Sequence, residues 1–343
     1  MSTSTNMVVK IDGAEIPTDD VFKVEIEQME DLPDLCGIEL SNIEGQRSKS
    51  TKEGAAVEVS ASGATLFKGE VTGLEPTFDH HMPARLVVRA MSKMHRLSRG
   101  RKTRTFVDQT DAQIVQKVCS ENGLSAQCDP GVKQDHFHQH NQSDLELILQ
   151  LAKRRDFVVR VEDTTLSFKK RKSADSGVEL KWGGGDGTLE RFRPRQSAAR
   201  QVNKVVVRGW DPVKKKEIVG MAQATAEFGG SPGPSVASAF GQSEIFETDQ
   251  PVDNKEEADN IAKSMLRERQ MSFVTGSALM LGDPRVKTGT TVKVDVQDPK
   301  FNGKYYVKSC VHRYVHSVAG SEGTAHREAG YRVEVRVQKD SEG

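Results

Sequence analysis

The 343-residue chain is longer than the size at which one hydrophobic core stops growing, so more than one domain is expected. Lys plus Arg equals Asp plus Glu at 49 each, which leaves no net field to recruit nucleic acid or an anionic membrane and confines charge-driven binding to local patches. An apolar fraction of 36% with 6% aromatics describes a folded but polar protein rather than a disordered chain.

The opening MSTSTNMVVKIDG has neither the basic region nor the apolar run of a signal peptide, and no stretch nears the ~18 apolar residues of a spanning helix. Cytosolic synthesis and no membrane insertion are the expectation. From Val8 to about Leu97 the chain reads as strands: VFKVEIEQM alternates from Val21, AAVEVSA and TLFKGEVTGL carry β-branched residues between glycines, and ARLVVRAM repeats the two-residue period. Near Phe106 the period changes. Thr110 with Gln113 forms a capping box, Ile114, Val115, Val118 and Cys119 fall on one helical stripe, and Gly123 supplies the stop. Ser143 with Glu146 opens a second helix whose Leu145, Ile148, Leu149 and Ala152 repeat at helical spacing, and FVVRVEDTTLSF then reads as a hairpin turning at Asp163 and Thr164.

Strands resume at about Val178 and include NKVVVRGW. Residues 220–252, rich in Gly, Ser, Pro and Ala, read as a flexible or extended connection. A third helix follows over 253–271, with Asp253 and Glu256 as its capping box and Ala258, Ile261, Ala262, Met265 and Leu266 as its buried stripe. Strands continue to the end. Four cysteines (Cys36, Cys119, Cys128, Cys310) without CxxC spacing argue for reduced thiols rather than a disulfide framework or zinc ribbon.

A weak internal repeat organises these elements. GAAVEV (from Gly54), FKG (from Phe67) and RLVVRA (from Arg85) recur in order as GTTVKV (from Gly289), FNG (from Phe301) and RVEVRV (from Arg332). The expected fold is therefore α+β and mostly β, with two tube-like β-barrel domains from an internal duplication, residues 1–105 and 171–343, and a small α+β domain over 106–170 between them. Two like barrels in one chain let a cyclic trimer present near-sixfold symmetry.

LFKGEVTGLEP, the run QHNQSDLELILQLAKRRDFVVRVEDTTLSF (Gln139 to Phe168), the helix around EEADNIAKSML and the closing GTTVKVD, FNGKYYVKSCVHRY and GYRVEVRV resemble, in that order, the baseplate hub proteins of contractile tails: the phage late control protein D family and the hub portion of VgrG proteins. The resemblance covers about residues 8 to 338. It implies a non-enzymatic homotrimeric hub that adapts a hexameric inner tube to a trimeric central spike, with no cofactor, assembled in the cytoplasm and then carried in a particle's baseplate with other baseplate components. The chain ends at Gly343 where VgrG-type chains continue, which implies a separate spike protein, and it has Leu147 where the family often carries an aromatic.

Other chemistry is visible but thinner. His136, His138 and His140 share one strand face and suggest a zinc or nickel site, hence the alternative of a metal-dependent or peptidoglycan-cleaving hydrolase, although i, i+2 neighbours reach one ion only with help from another segment. GGGDG (Gly183 to Gly187) lacks the Lys-Ser/Thr and helix of a phosphate cradle and reads as a turn. His312 shares a face with Cys310, Tyr306 and Tyr314, with no acid at motif spacing. The basic run HRLSRGRKTR (His95 to Arg104) either lines a channel, meets an acidic partner or forms a solvated linker. A carbohydrate-binding module or adhesin is a third reading, weakened by the scarcity of aromatic platforms.

Overall fold

A computed structural model describes residues 7–183, 187–212, 214–241, 243–249, 252, 254–316 and 329–342. The first run of strands is β1 (Met7–Ile11), β2 (Ala14–Glu15), β3 (Val21–Met29), β4 (Leu35–Ser41), β5 (Ala56–Ala61), β6 (Ala64–Asp79) and β7 (Met82–Met91), with a short helix α1 (Gln46–Ser50) before β5. The middle segment follows as β8 (Lys102–Thr110), α2 (Asp111–Glu121), β9 (Ser125–Cys128), β10 (Lys133–Gln142), α3 (Asp144–Arg155), β11 (Phe157–Glu162) and β12 (Thr165–Lys170). The last part holds β13 (Ala174–Lys181), β14 (Leu189–Gln196), β15 (Lys204–Asp211), β16 (Lys216–Gln223), β17 (Ser231–Pro232), α4 (Gly233–Val236), β18 (Glu244–Glu247), α5 (Lys255–Gln270), β19 (Val274–Leu281), β20 (Thr290–Asp295), β21 (Gly303–Val315), β22 (Gly330–Lys339) and β23 (Ser341–Glu342). The molecule is α+β and mostly β, as its patterning predicts.

Local sequence explains the helices. Thr110 caps α2 and Ser143 caps α3, each with its reciprocal Gln113 or Glu146 bond, and the predicted stripes are buried except at Leu149, which is half-buried. The cap of α5 differs from expectation. Asn254 accepts the backbone N–H of Glu257, one residue later than the predicted Asp253 and Glu256 pair, because Asp and Asn are equally good caps and stand side by side; Asp253 itself lies outside the described residues. The hairpin turns where expected, with Asp163 at φ 53°. Residues 220–252 are more structured than a linker: besides a short turn of helix at α4 they supply β18, which pairs in parallel with β15. A four-residue parallel strand has no alternation to announce it.

Thirteen strands form one sheet whose main path is β14-β19-β22-β21-β3-β4-β7-β6-β5-β1-β2, with β20 on β21 and β13 on β20. One ladder is used twice. The first half pairs β5-β6-β7-β4-β3, and the second half pairs β20-β21-β22-β19-β14. The correspondence extends to single residues. Val88 of RLVVRA sits between Leu74 and Ile38, and Val335 of RVEVRV sits between Cys310 and Ala278. The register shifts also recur: between Val71 and Gly73 in β6 and between Val307 and Ser309 in β21, then between Val21 and Lys23 in β3 and between Leu189 and Arg191 in β14. Gly54 (φ 84°) and Gly289 (φ 78°) adopt the same left-handed turn, and their N–H groups bond Val71 and Val307, both at 2.8 Å.

One part of the sequence repeat does not hold. Phe67 of FKG lies in β6 opposite Val59, whereas Phe301 of FNG lies in a 3₁₀ turn before β21, and the residue opposite Val294 is Gly303. The match of letters is offset by two residues from the match of ladders.

Apolar packing falls into three clusters. The largest lies against the main sheet and mixes residues of both halves, among them Ile26, Val88, Tyr305 and Val335. A second joins α2, α3 and the hairpin around Ile114, Ile148, Leu166 and Phe168. A third packs α5 on β15 and β16, where Gly220 admits the helix so closely that a Cβ there would lie 2.2 Å from the backbone carbon of Ala258.

Candidate assembly surface

The main sheet is buried on one face and polar on the other. Its polar face carries ion pairs: Lys23 with Glu25 at 2.7 Å, Arg85 with Glu39 at 2.6 Å, Arg89 with Glu75 at 2.9 Å and Arg332 with Glu190 at 2.9 Å. A shallow groove of 330 Å³ runs across this face past Glu25, Glu39, Thr72 and Arg89. Pairs so exposed add about 0–1 kcal/mol each. They make a wetted charged surface rather than a binding pocket.

The two ladders meet along β21 and β3. The outer half of β21 pairs antiparallel with β3 from Ser309 opposite Met29 to Val315 opposite Lys23, and Arg313 reaches Glu25 at 3.1 Å across it. Below this joint the middle segment is fastened by a buried network. Arg171 and the Tyr306 hydroxyl both donate to Glu30 Oε1, and Arg171 also reaches Asp156 at 3.3 Å. Burial works against charge on Arg171, but the neighbouring carboxylates, Glu30 above all, hold its pKa above the ordinary value.

The basic run His95 to Arg104 is largely spent within the chain. Glu70 accepts from His95 Nε2 at 2.6 Å and from Arg96 at 2.8 and 2.5 Å, Arg101 reaches Glu146 at 3.3 Å, and Lys102 and Arg104 converge on Asp144 at 2.7 and 2.9 Å. These acids lie far away in sequence, so the charge cluster ties the first ladder to the middle segment. The Arg96 hydrogen bonds, opposed by desolvation and helped by His95, lower the Glu70 pKa from 4.5 to about 2. A carboxyl depressed in the fold contributes its full stability above its unfolded pKa and loses it as pH falls through the folded one. Stability is therefore expected to decline between pH 4.5 and about 2, and to decline less in Glu70→Gln; equal acid denaturation curves for the two proteins would count against this role.

Between the first ladder and the hairpin lies a cleft of about 430 Å³ lined by Asp34, Arg160, Glu162, Lys287 and Thr288. Desolvation raises the Asp34 carboxyl to about 7 despite Arg160 nearby. This acid was not singled out in the sequence, where it is one of many surface-type residues; only the fold half-buries it in the cleft.

The three histidines of β10 stand on its solvent face. His136 is opposite Val107, and His138 is opposite Thr105, whose hydroxyl lies 2.9 Å from Nδ1. Among the described residues no group of three His, Cys, Asp or Glu side chains comes together to hold a metal. GGGDG lies largely outside the described residues, since Gly184, Gly185 and Asp186 are not among them.

Cys310 and His312 do share a face, with Sγ 3.5 Å from Nε2 and Nδ1 2.7 Å from the Tyr331 hydroxyl. Burial pushes the thiol up to about 12 and the imidazole down to about 4, the protonation states opposite to those of a nucleophile pair. Tyr306 departs from the expected face. The register shift past Val307 inverts the alternation, so Tyr305 and Val307 join Cys310 in the core while Tyr306 turns to Glu30.

This architecture, a doubled ladder in one sheet with a small α+β unit beside it, is shared with phage tail proteins. Over nearly its whole length the chain superposes on the 43 kDa tail protein of prophage MuSo2 from Shewanella oneidensis, with 17% identity, TM-score 0.70 and coverage of 97% of this chain and 98% of that one. The tail protein from Neisseria meningitidis MC58 matches at 12% identity and TM-score 0.71 over 98% and 97%. The E. coli c3393 protein, a type VI secretion system component with structural similarity to the T4 tail proteins gp27 and gp5, matches at 15% identity and TM-score 0.62 over 97% and 77%. Residues 3–316 match the family model described as Alg8 N-terminal domain, and the chain belongs to that family. No curated protein matches it in sequence, so the wider likeness is one of shape.

Proposed function

We propose that the chain is the structural hub of a phage tail or contractile injection particle: a homotrimer that adapts a hexameric inner tube to a trimeric central spike. The observation that carries this reading is the ladder used twice with matching register shifts, which supports an origin by duplication. Three copies of a chain with two like ladders offer six similar rims to a hexameric tube while keeping threefold symmetry for the spike. In this reading residues 1–105 and 171–343 are the two tube-like barrels and 106–170 the unit between them. The work is geometric and no bond is made or broken. The partners are further copies of the chain, the inner tube protein, the central spike and other baseplate components, with assembly in the cytoplasm before incorporation in the particle.

Sedimentation equilibrium of the purified protein is expected to give three times the 37.8 kDa chain mass, and averaged images to show a ring with threefold outline and near-sixfold interior. A monomer at micromolar concentration, or a ring of another order, would sink the proposal.

A further inference from the structure

We infer that successive copies of the chain are stitched edge to edge, the outer half of β6 in one copy pairing antiparallel with β14 of the next, with Glu75 opposite Arg195 and Phe78 opposite Phe192. This rests on the trimer proposed above and supplies its contact. The template is inside the chain. Within one copy the outer half of β21 pairs with β3, Val311 opposite Glu27 and Tyr314 opposite Val24. The doubled ladder makes β6 the counterpart of β21 and β14 the counterpart of β3: Leu74 occupies the place of Cys310, and Phe192 that of Val24. Yet among the described residues β6 pairs from Thr72 to Asp79 only with β7, and β14 pairs only with β19. Each chain thus ends in two open edges that are counterparts of the two edges already joined at its centre.

The side chains on those edges fit each other. Carrying the internal register across places Leu74 opposite Gln196, Glu75 opposite Arg195, Thr77 opposite Arg193 and Phe78 opposite Phe192. Arg191, Arg193 and Arg195 are exposed along β14, and Glu75 and Asp79 are exposed along β6, so an acidic edge meets a basic one. Phe78 is 76% exposed in the single chain, while Tyr314, at the matching place in the closed joint, packs against the core. The charges also set the order of joining. β3 carries Glu25 and Glu27 where β14 carries Arg193 and Arg195, so the acidic β6 edge is repelled by β3 and attracted by β14.

Prolines sharpen the register. His316 N–H bonds the Phe22 carbonyl in the internal joint, so Tyr314, His312 and Cys310 are the positions that exchange backbone bonds there. Their counterparts are Phe78, Pro76 and Leu74, facing Phe192, Pro194 and Gln196. A proline has no N–H to give, which protects an open edge from casual pairing. Placing Pro76 against Pro194 confines the loss to one pair, whereas any other register spreads it over two. The seam between copies is consequently short of backbone bonds and depends on its ion pairs and the phenylalanine contact.

Thr77 and Arg193 fall at a closely spaced pair without mutual backbone bonds, a geometry suited to a disulfide. Thr77→Cys with Arg193→Cys, mildly oxidised, is expected to give covalent dimers and trimers on a non-reducing denaturing gel. Either single variant, or the off-register Thr77→Cys with Arg191→Cys, is expected to stay largely uncrosslinked. In parallel, Arg195→Glu is expected to weaken the trimer by about tenfold or more, Arg195→Glu with Glu75→Arg to restore it, and rising salt to dissociate the wild type. A wild-type trimer with neither crosslinking nor charge-swap rescue would overturn this seam while leaving the hub reading intact; a monomeric wild type would remove both.

Discussion

Replacing Asp111 by alanine is expected to cost the middle segment about 3–5 kcal/mol, because it strands a buried cation. Asp111 is 1% exposed at the start of α2 and accepts from Arg155 Nε at 2.9 Å, from Gln134 Nε2 at 3.2 Å and from the Val132 N–H at 3.3 Å. Arg155 is itself buried, and its two terminal nitrogens have no hydrogen-bond partner among the described residues, so this carboxylate is its main compensation. The same carboxylate holds the approach to β10. Denaturant unfolding followed by a probe in 106–170 should show the full loss; an Asp111→Ala protein within about 1 kcal/mol of wild type would mean that water reaches Arg155 freely. Asp111→Asn keeps the acceptor but not the charge and is expected to fall between the two.

What could be read from the sequence was what depends on neighbours. The caps at Thr110 and Ser143 need only a three-residue spacing, and the stripes of α2, α3 and α5 need only a helical period. Gly54 and Gly289 were legible as a repeat because both open a strand from a left-handed turn that glycine alone adopts cheaply. The departures have one cause, pairing with distant segments. The register shifts in β6 and β21 leave no mark in the residue pattern yet invert every side chain beyond them, which misplaced Tyr306. β9 and β18 are parallel strands held by β12 and β15, far away in the chain. The run His95 to Arg104 reads as free charge until Glu70, Asp144 and Glu146 are brought to it. The proposed assembly edges were invisible for the same reason: LEPTFD and RFRPRQ acquire meaning only as counterparts of strands that are already paired.

Glu30 is expected to be the residue on which the rigidity of the whole chain turns. It lies just past the end of β3 in the first ladder, Arg171 just past β12 at the end of the middle segment, and Tyr306 in β21 of the second ladder, so one carboxylate joins all three. Glu30→Ala leaves Arg171, among the described residues, with Asp156 at 3.3 Å and the Tyr306 hydroxyl at 3.2 Å, and should cost about 3–5 kcal/mol. Tyr306→Phe removes one donor while the ion pair stays, and should cost about 1 kcal/mol. The two variants differ in where the loss is felt. Hydrogen exchange should rise in Glu30→Ala on both sides of the 171–173 connection and along β21 from Lys304 to Tyr306, ahead of global unfolding, because the joint opens before either core does. Unchanged exchange there, with an unchanged melting temperature, would show that the three units are held by apolar contact alone. For the hub proposed above the distinction matters: a part whose units swing about a loose joint dissipates motion, and one pinned at a buried charge moves as a single body.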